Sequence, residues 1–204
     1  GNAKGVPHMV SAWSVRNGLV LGQTKVSEKS NEITAIPELL ESLNVKGCVV
    51  TIDAMGCQKK IAEKIVAREG DYVLSLKGNQ GDMLEGVKLL LDTMIAENDP
   101  GLDWHETVEK GHGRIETRRC SQTDALDGLP GLYEWSGLRS VAAIDSTRDI
   151  KGVVTTERRY FISSLELGAE ELLGAARGHW AIENSLHWVL DVQFGEDYSR
   201  ARAL

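Results

Sequence analysis

Acidic and imidazole side chains recur at a fixed spacing near the C-terminus, where they could do chemistry. His179, Glu183, His187 and Asp191 stand at successive intervals of four residues. In a helix such positions drift slowly around the axis, so the spacing predicts one polar stripe on a helix over about 168–191. A carboxylate carried on an otherwise buried helix indicates a metal ligand or an acid–base group.

A second carboxylate, Asp53, ends a β-branched segment, 49–52, and is followed by a turn that contains glycine. This pattern is typical of a parallel strand that delivers an acid to its C-terminal edge, where open α/β sheets keep their sites. The alternative is that Asp53 only forms the turn or caps the next helix. The segment alone leaves both interpretations open.

The spacing of His179, Glu183 and His187 also raises the possibility of a zinc site. In zincins, however, the two histidines lie one turn apart and the glutamate directly follows the first of them. The order here is different, so zinc is the weaker alternative.

Composition indicates an ordinary globular protein. The chain has 204 residues, of which 42% are hydrophobic, and this suits one sizeable domain or one domain with an insertion. Its net charge of −7 counts mildly against a general DNA coat but does not exclude local basic patches. Three separated cysteines and the lack of a long apolar run predict a soluble, cytoplasmic protein without a membrane partner.

Hydrophobic periodicity predicts two halves of different character. The first half has the order β-β-α-β-α-β and then a long helix, and the second half is rich in strands until a last helix begins near 168. Predicted strands are 7–14, 18–26, 47–53, 71–76, 104–109, 114–122, 138–145 and 158–165, and predicted helices are about 30–43, 57–69 and 80–98. Pro37 could delay the start of the first helix.

Basic and amide side chains mark two candidate DNA contacts. Lys110, His112, Arg114, Arg118 and Arg119 form a basic hairpin that could grip phosphates, although a solvated hairpin edge guarded by charge is the alternative. Lys77, Asn79 and Gln80 follow a strand adjacent to the Asp53 strand and could line the same sheet edge. A turn and a helix cap would explain Asn79 equally well.

Several motifs together resemble one family. Asp53-Ala-Met-Gly-Cys-Gln-Lys, Asp71-Tyr-Val-Leu-Ser-Leu-Lys-Gly-Asn-Gln80, Lys110-Gly-His-Gly-Arg-Ile-Glu116 and His179-Trp-Ala-Ile-Glu-Asn-Ser-Leu-His187 occur in the order found in insertion-sequence DDE transposases. They are most similar to those of the H-repeat-associated subgroup. The resemblance covers nearly the whole chain and is far more specific than any one motif.

The resemblance implies an α/β fold, a ribonuclease-H-like mixed sheet flanked by helices, with a β-rich insertion before the last helix. It divides the chain into a core of 1–98 and 166–204 and an insertion of 99–165. It also implies two Asp and one Glu that hold two divalent ions, Mg²⁺ or Mn²⁺. Asp53 matches the second Asp and Glu183 the Glu, and His179, His187 and Asp191 are expected to pack or hydrogen-bond beside Glu183, although Asp191 could equally be a surface charge.

The implied activity is metal-dependent cleavage and transfer of DNA strands at transposon ends, with transposon ends and target DNA as partners. The family carries its first Asp on the opening strand of the fold, but no Asp precedes Asp53 here. We therefore expect a core fragment that lacks this strand. The alternative function is a truncated, non-catalytic remnant that retains DNA-binding or structural character, and a homodimer is one option for either. A separation of more than about 12 Å between Asp53 and Glu183 would exclude a shared two-metal site.

Overall fold

A computed structural model describes residues 9–14, 16, 19–26, 32–111 and 113–179. Its strands are β1 (Met9–Ser14), β2 (Leu19–Lys25), β3 (Val49–Ile52), β4 (Asp71–Leu76), β5 (Asp103–Gly111), β6 (Arg114–Thr123), β7 (Ser140–Ile150) and β8 (Val153–Ser163). Its helices are α1 (Glu32–Ser42), α2 (Lys59–Ala67), α3 (Gly81–Glu97) and α4 (Ala169–His179). Within these ranges no helix combines the length and apolarity needed to cross a membrane.

The chain divides into two compact units, 1–44 with 177–204 and 45–176. In the first unit β1 and β2 form an antiparallel pair. Helix α1 packs on this pair. Leu39 of α1 lies so close to Gly22 of β2 that a Cβ added to Gly22 would be 3.2 Å from a methyl group of Leu39. The helix begins at Glu32 and contains Pro37, so the later start at Pro37 is wrong. The predicted core and insertion have different boundaries from these two units, and that division stays a prediction.

The second unit is built on one six-stranded sheet with the order β3-β4-β8-β7-β6-β5. Strands β3 and β4 are parallel, with α2 as their connection, and all other neighbours are antiparallel. The strands of the predicted insertion therefore continue the sheet that β3 and β4 begin.

Helices cover both faces of this sheet. Phe161 packs in a buried cluster with Leu172 and Leu173 of α4. The preceding residue, Tyr160, points to the other face and donates a hydrogen bond to Asp92 of α3 at 2.7 Å. We refer to these surfaces as the α4 face and the α3 face. The predicted fold class, a mixed sheet flanked by helices, is confirmed.

Strands β7 and β8 extend well beyond their predicted ends. They are joined by a tight turn in which Lys151 and Gly152 have φ of 53° and 85°. The predicted strands stopped at 145 and began at 158 because the residues between are largely polar or charged and mostly exposed, which hides the apolar alternation. Cross-strand pairing stabilises this region instead. Strands β7 and β8 are paired from Ile150 opposite Val153, next to the turn, to Ser140 opposite Ser163 at the other end.

An ion-pair cluster lies on the α4 face of the extended strands. Glu116 is only 6% exposed, and its carboxylate contacts Arg148 Nε at 2.7 Å, Arg118 Nη2 at 2.5 Å and Arg114 Nε at 3.3 Å. Burial raises the pKa of Glu116, but hydrogen bonds from Arg148 and Arg118 and the charges of Arg118 and Arg114 outweigh it. The pKa is therefore lowered, and the carboxylate links β6 to β7.

We expect Glu116→Gln to lower the free energy of unfolding by about 1–3 kcal/mol at pH 7, because it leaves three arginines without their shared carboxylate. Since the folded pKa is lowered, this stabilisation is present above the unfolded value of about 4.3 and is lost as the pH falls through the folded pKa. Urea unfolding at several pH values would show the difference from wild type shrinking in acid. Glu63→Gln on the exposed side of α2 is the control, and an equal loss there would contradict the account.

Two helical glycines should respond in opposite directions to alanine. A Cβ on Gly86 of α3 would lie 2.5 Å from Pro130 Cδ, whereas a Cβ on Gly174 of α4 meets nothing within 4 Å. We expect Gly174→Ala to stabilise the chain by up to about 1 kcal/mol, from helix propensity. Gly86→Ala should destabilise it by about 1–3 kcal/mol, from the clash. Thermal unfolding of both variants checks this, and stabilisation by Gly86→Ala would show that the loop around Pro130 does not press on α3.

Candidate functional site

Asp53 stands directly after β3, at the C-terminal edge of the parallel pair. Its Oδ1 accepts hydrogen bonds from the backbone N–H groups of Met55 at 3.2 Å and Gly56 at 3.3 Å, and so caps the short 3₁₀ turn Ala54–Gly56. The capping role considered from sequence is therefore present. Both hydrogen bonds use the same oxygen, and the residue is exposed, so the cap orients the carboxylate without enclosing it.

The loop after β4 braces the Asp53 turn. Asn79 Nδ2 donates to the carbonyl of Ala54 at 2.7 Å, and Gln80 Nε2 donates to the carbonyl of Cys57 at 3.0 Å. Because β3 and β4 are parallel, these two loops meet at one sheet edge, as predicted. The amide of Asn79 is used within the protein, and Lys77 beside it is exposed.

Asp53 and Cys57 are side chains at this edge that could ligate a metal ion. Burial raises the pKa of the Cys57 thiol to about 12, so this neighbour is neither a thiolate nor a soft metal ligand at neutral pH. An exposed carboxylate is the donor type that Mg²⁺ and Mn²⁺ prefer. Among the described residues no three His, Cys, Asp or Glu side chains form a group that could hold a metal ion.

Helix α4 is held at its start by two polar side chains of the sheet. Gln122, which is fully buried, donates to the carbonyl of Glu166 at 3.0 Å and accepts from the N–H of Gly168 at 3.0 Å. Asp103 Oδ2 accepts from the N–H of Ala169 at 2.8 Å. No local pattern predicts either contact, because the two hydrogen-bonded residues are 46 and 66 positions apart in the chain.

Of the predicted polar stripe the structure describes only His179. His179 is the last described residue of α4 and is half-buried. Glu183, His187 and Asp191 lie outside the described residues, so the joint site with Asp53 stays a prediction.

The basic hairpin is divided between the two faces of the sheet. Arg114 and Arg118 lie with Glu116 on the α4 face, and Arg118 also contacts Glu109 at 3.1 Å. Lys110 pairs with Ile115 of β6. Ile115 points to the opposite face from its neighbours Arg114 and Glu116, so Lys110 lies on the α3 face. His112 is outside the described residues. Sequence reasoning missed the role of Glu116, because its partner Arg148 is 32 residues away.

Comparison with known proteins agrees with this architecture. Residues 2–204 match the family model described as the transposase DDE domain. YncI of Escherichia coli O157:H7, whose name includes the word transposase, is 47% identical over 206 residues, which cover 99% of this chain and 53% of YncI. The H repeat-associated protein YhhI of Escherichia coli K12, also named as a transposase, is 45% identical over 206 residues, covering 98% of this chain and 54% of YhhI. The chain spans about half the length of the curated relatives it matches. These matches confirm the resemblance seen in the motifs, and the chain belongs to the transposase DDE domain family.

Proposed function

We propose that this chain supplies catalytic residues to a DNA transposase that cuts and joins strands at transposon ends. The observation that carries the proposal is the placement of Asp53: an exposed carboxylate at the C-terminal edge of a parallel strand pair, oriented by two backbone N–H groups. The family match and the transposase names of the relatives support the same activity.

Strand cleavage and transfer require an oxygen nucleophile and an oxygen leaving group in line at one phosphorus atom. Asp53 and Glu183 would hold divalent ions, Mg²⁺ or Mn²⁺, which when bound would activate the attacking water or 3′-hydroxyl and neutralise the charge on the leaving oxygen. His179, His187 and Asp191 would orient Glu183 through packing or hydrogen bonds.

The remaining side chains of the site position groups rather than react. Asn79 and Gln80 donate hydrogen bonds to the carbonyls of Ala54 and Cys57 and so connect the turn that presents Asp53 to the loop after β4. Contacts with DNA phosphates would come from the basic and amide side chains named from sequence, Lys77, Asn79, Lys110, His112, Arg114 and Arg118.

The test is Mn²⁺ binding by isothermal titration calorimetry. We expect wild type to bind Mn²⁺ and both Asp53→Ala and Glu183→Ala to lose measurable binding, because each removes a carboxylate from one site. Asp127→Asn, which changes an exposed aspartate in the loop between β6 and β7, is the matched control and should bind as wild type does.

Two results would count against the metal site. Retention of Mn²⁺ binding in Asp53→Ala would place the ion elsewhere. A wild-type chain that binds no Mn²⁺ would show that these residues do not hold the ion by themselves, and the proposed catalytic role of this chain would fail.

A further inference from the structure

Five cationic side chains follow one another across the α4 face, beyond the area that α4 covers. They are Lys77, Arg159, Arg148, Arg118 and Arg114, which we call the basic strip. Lys77 comes directly after β4, at the same sheet edge as Asp53, and Arg114 begins β6 at the far hairpin. The strip therefore connects Lys77 at the Asp53 edge with the arginines of the basic hairpin.

Strand register places all five on one face. Arg148 pairs directly with Glu116, and Arg114 and Arg118 are two residues to either side of it. Arg159 pairs with Ile144, which belongs to the buried cluster under α4. Lys77 acts electrostatically on Glu157, whose carboxylate also accepts hydrogen bonds from Arg159 at 2.7 and 2.8 Å. Arg159 pairs with Ile144 of β7, and Arg114 pairs with Ile150 of the same strand. The distance along β7 between these two positions makes the strip about 20 Å long in the strand direction.

Carboxylates between the cations hold the arginines in place. Arg114 and Arg148 contact Glu116 Oε1 through Nε, at 3.3 and 2.7 Å. Both side chains are about half exposed, at 49% and 53%, whereas that of Glu116 is only 8% exposed. The surface of the cluster therefore consists mainly of guanidinium groups. Their contacts with Glu116 orient them before a phosphate binds.

The two faces differ in the charge they offer. The strip has five cations against the three carboxylates Glu109, Glu116 and Glu157, a net charge of +2 on a chain whose net charge is −7. On the α3 face Arg158 forms ion pairs with two carboxylates, through Nε with Asp145 at 2.6 Å and through Nη1 with Asp92 at 2.8 Å. Arg119, on the same face, lies over the ring of Trp104 at 4.5 Å.

We propose that the basic strip binds the phosphate backbone of duplex DNA, with Arg148 and Arg159 as contacts additional to Lys77, Arg114 and Arg118. A length of about 20 Å corresponds to about six base pairs at 3.4 Å each. Because the strip starts at the edge that carries Asp53, DNA lying along it would reach that edge. The inference rests on the proposed function and adds which face of the sheet receives the DNA.

The test is binding of a fluorescein-labelled DNA duplex, followed by fluorescence anisotropy over a range of salt concentrations. Arg148→Gln and Arg159→Gln remove strip charges, and Arg119→Gln removes the same charge from the α3 face. We expect each strip variant to weaken binding about three- to tenfold at low salt and to lower the salt slope by about 0.9. The Arg119→Gln variant should stay within about twofold of wild type.

Circular dichroism would verify that each variant is folded. Arg159 lies outside the Glu116 cluster, so its variant decides the question even if Arg148→Gln unfolds. Equal losses in Arg119→Gln and the strip variants, or no loss in the strip variants, would overturn the strip while leaving DNA binding intact. A wild-type chain that binds no duplex would overturn the strip and the proposed DNA partner together, although Mn²⁺ binding could still be present.

Discussion

The arrangement of the second unit depends on the pairing of β4 along both of its edges. Strand β4 pairs in parallel with β3 and antiparallel with β8, and Tyr72 and Leu74 within it are fully buried. One short strand thus joins the acid-bearing βαβ element to the long antiparallel strands. It also determines that Asp53, the bracing loop with Asn79, and Lys77 all stand at one edge of the sheet.

Capping and metal binding are compatible uses of Asp53. Two backbone N–H groups engage Oδ1 and restrict the rotation of the carboxylate, which lowers the entropy lost when a ligand is bound. The bracing hydrogen bonds of Asn79 and Gln80 act on the backbone of the same turn. The capping role, which competed with the catalytic one in the sequence, describes how the side chain is positioned and is compatible with the proposed catalytic role.

Local patterns in the sequence predicted most elements and the Asp53 edge, because strand alternation, helix periodicity and the position of an acid after a β-branched run are short-range signals. Contacts between distant residues could not be predicted. Glu116 with Arg148, and Gln122 with Glu166, are separated by 32 and 44 residues and depend on a strand register that no local pattern contains. For the same reason the sequence pattern grouped Lys110 with Arg114 in one basic hairpin, whereas the strand register places these two residues on opposite faces of the sheet.

The central claim is that Asp53 and Glu183 belong to one divalent-metal site. A crystal structure grown with Mn²⁺, with anomalous differences recorded, tests it most directly. The account predicts an anomalous peak about 2.1 Å from a carboxylate oxygen of Asp53, with Glu183 as a ligand of the same ion or of a second ion about 3.5–4 Å from it. A peak remote from Asp53, or a separation of more than about 12 Å between the two carboxylates, would contradict it.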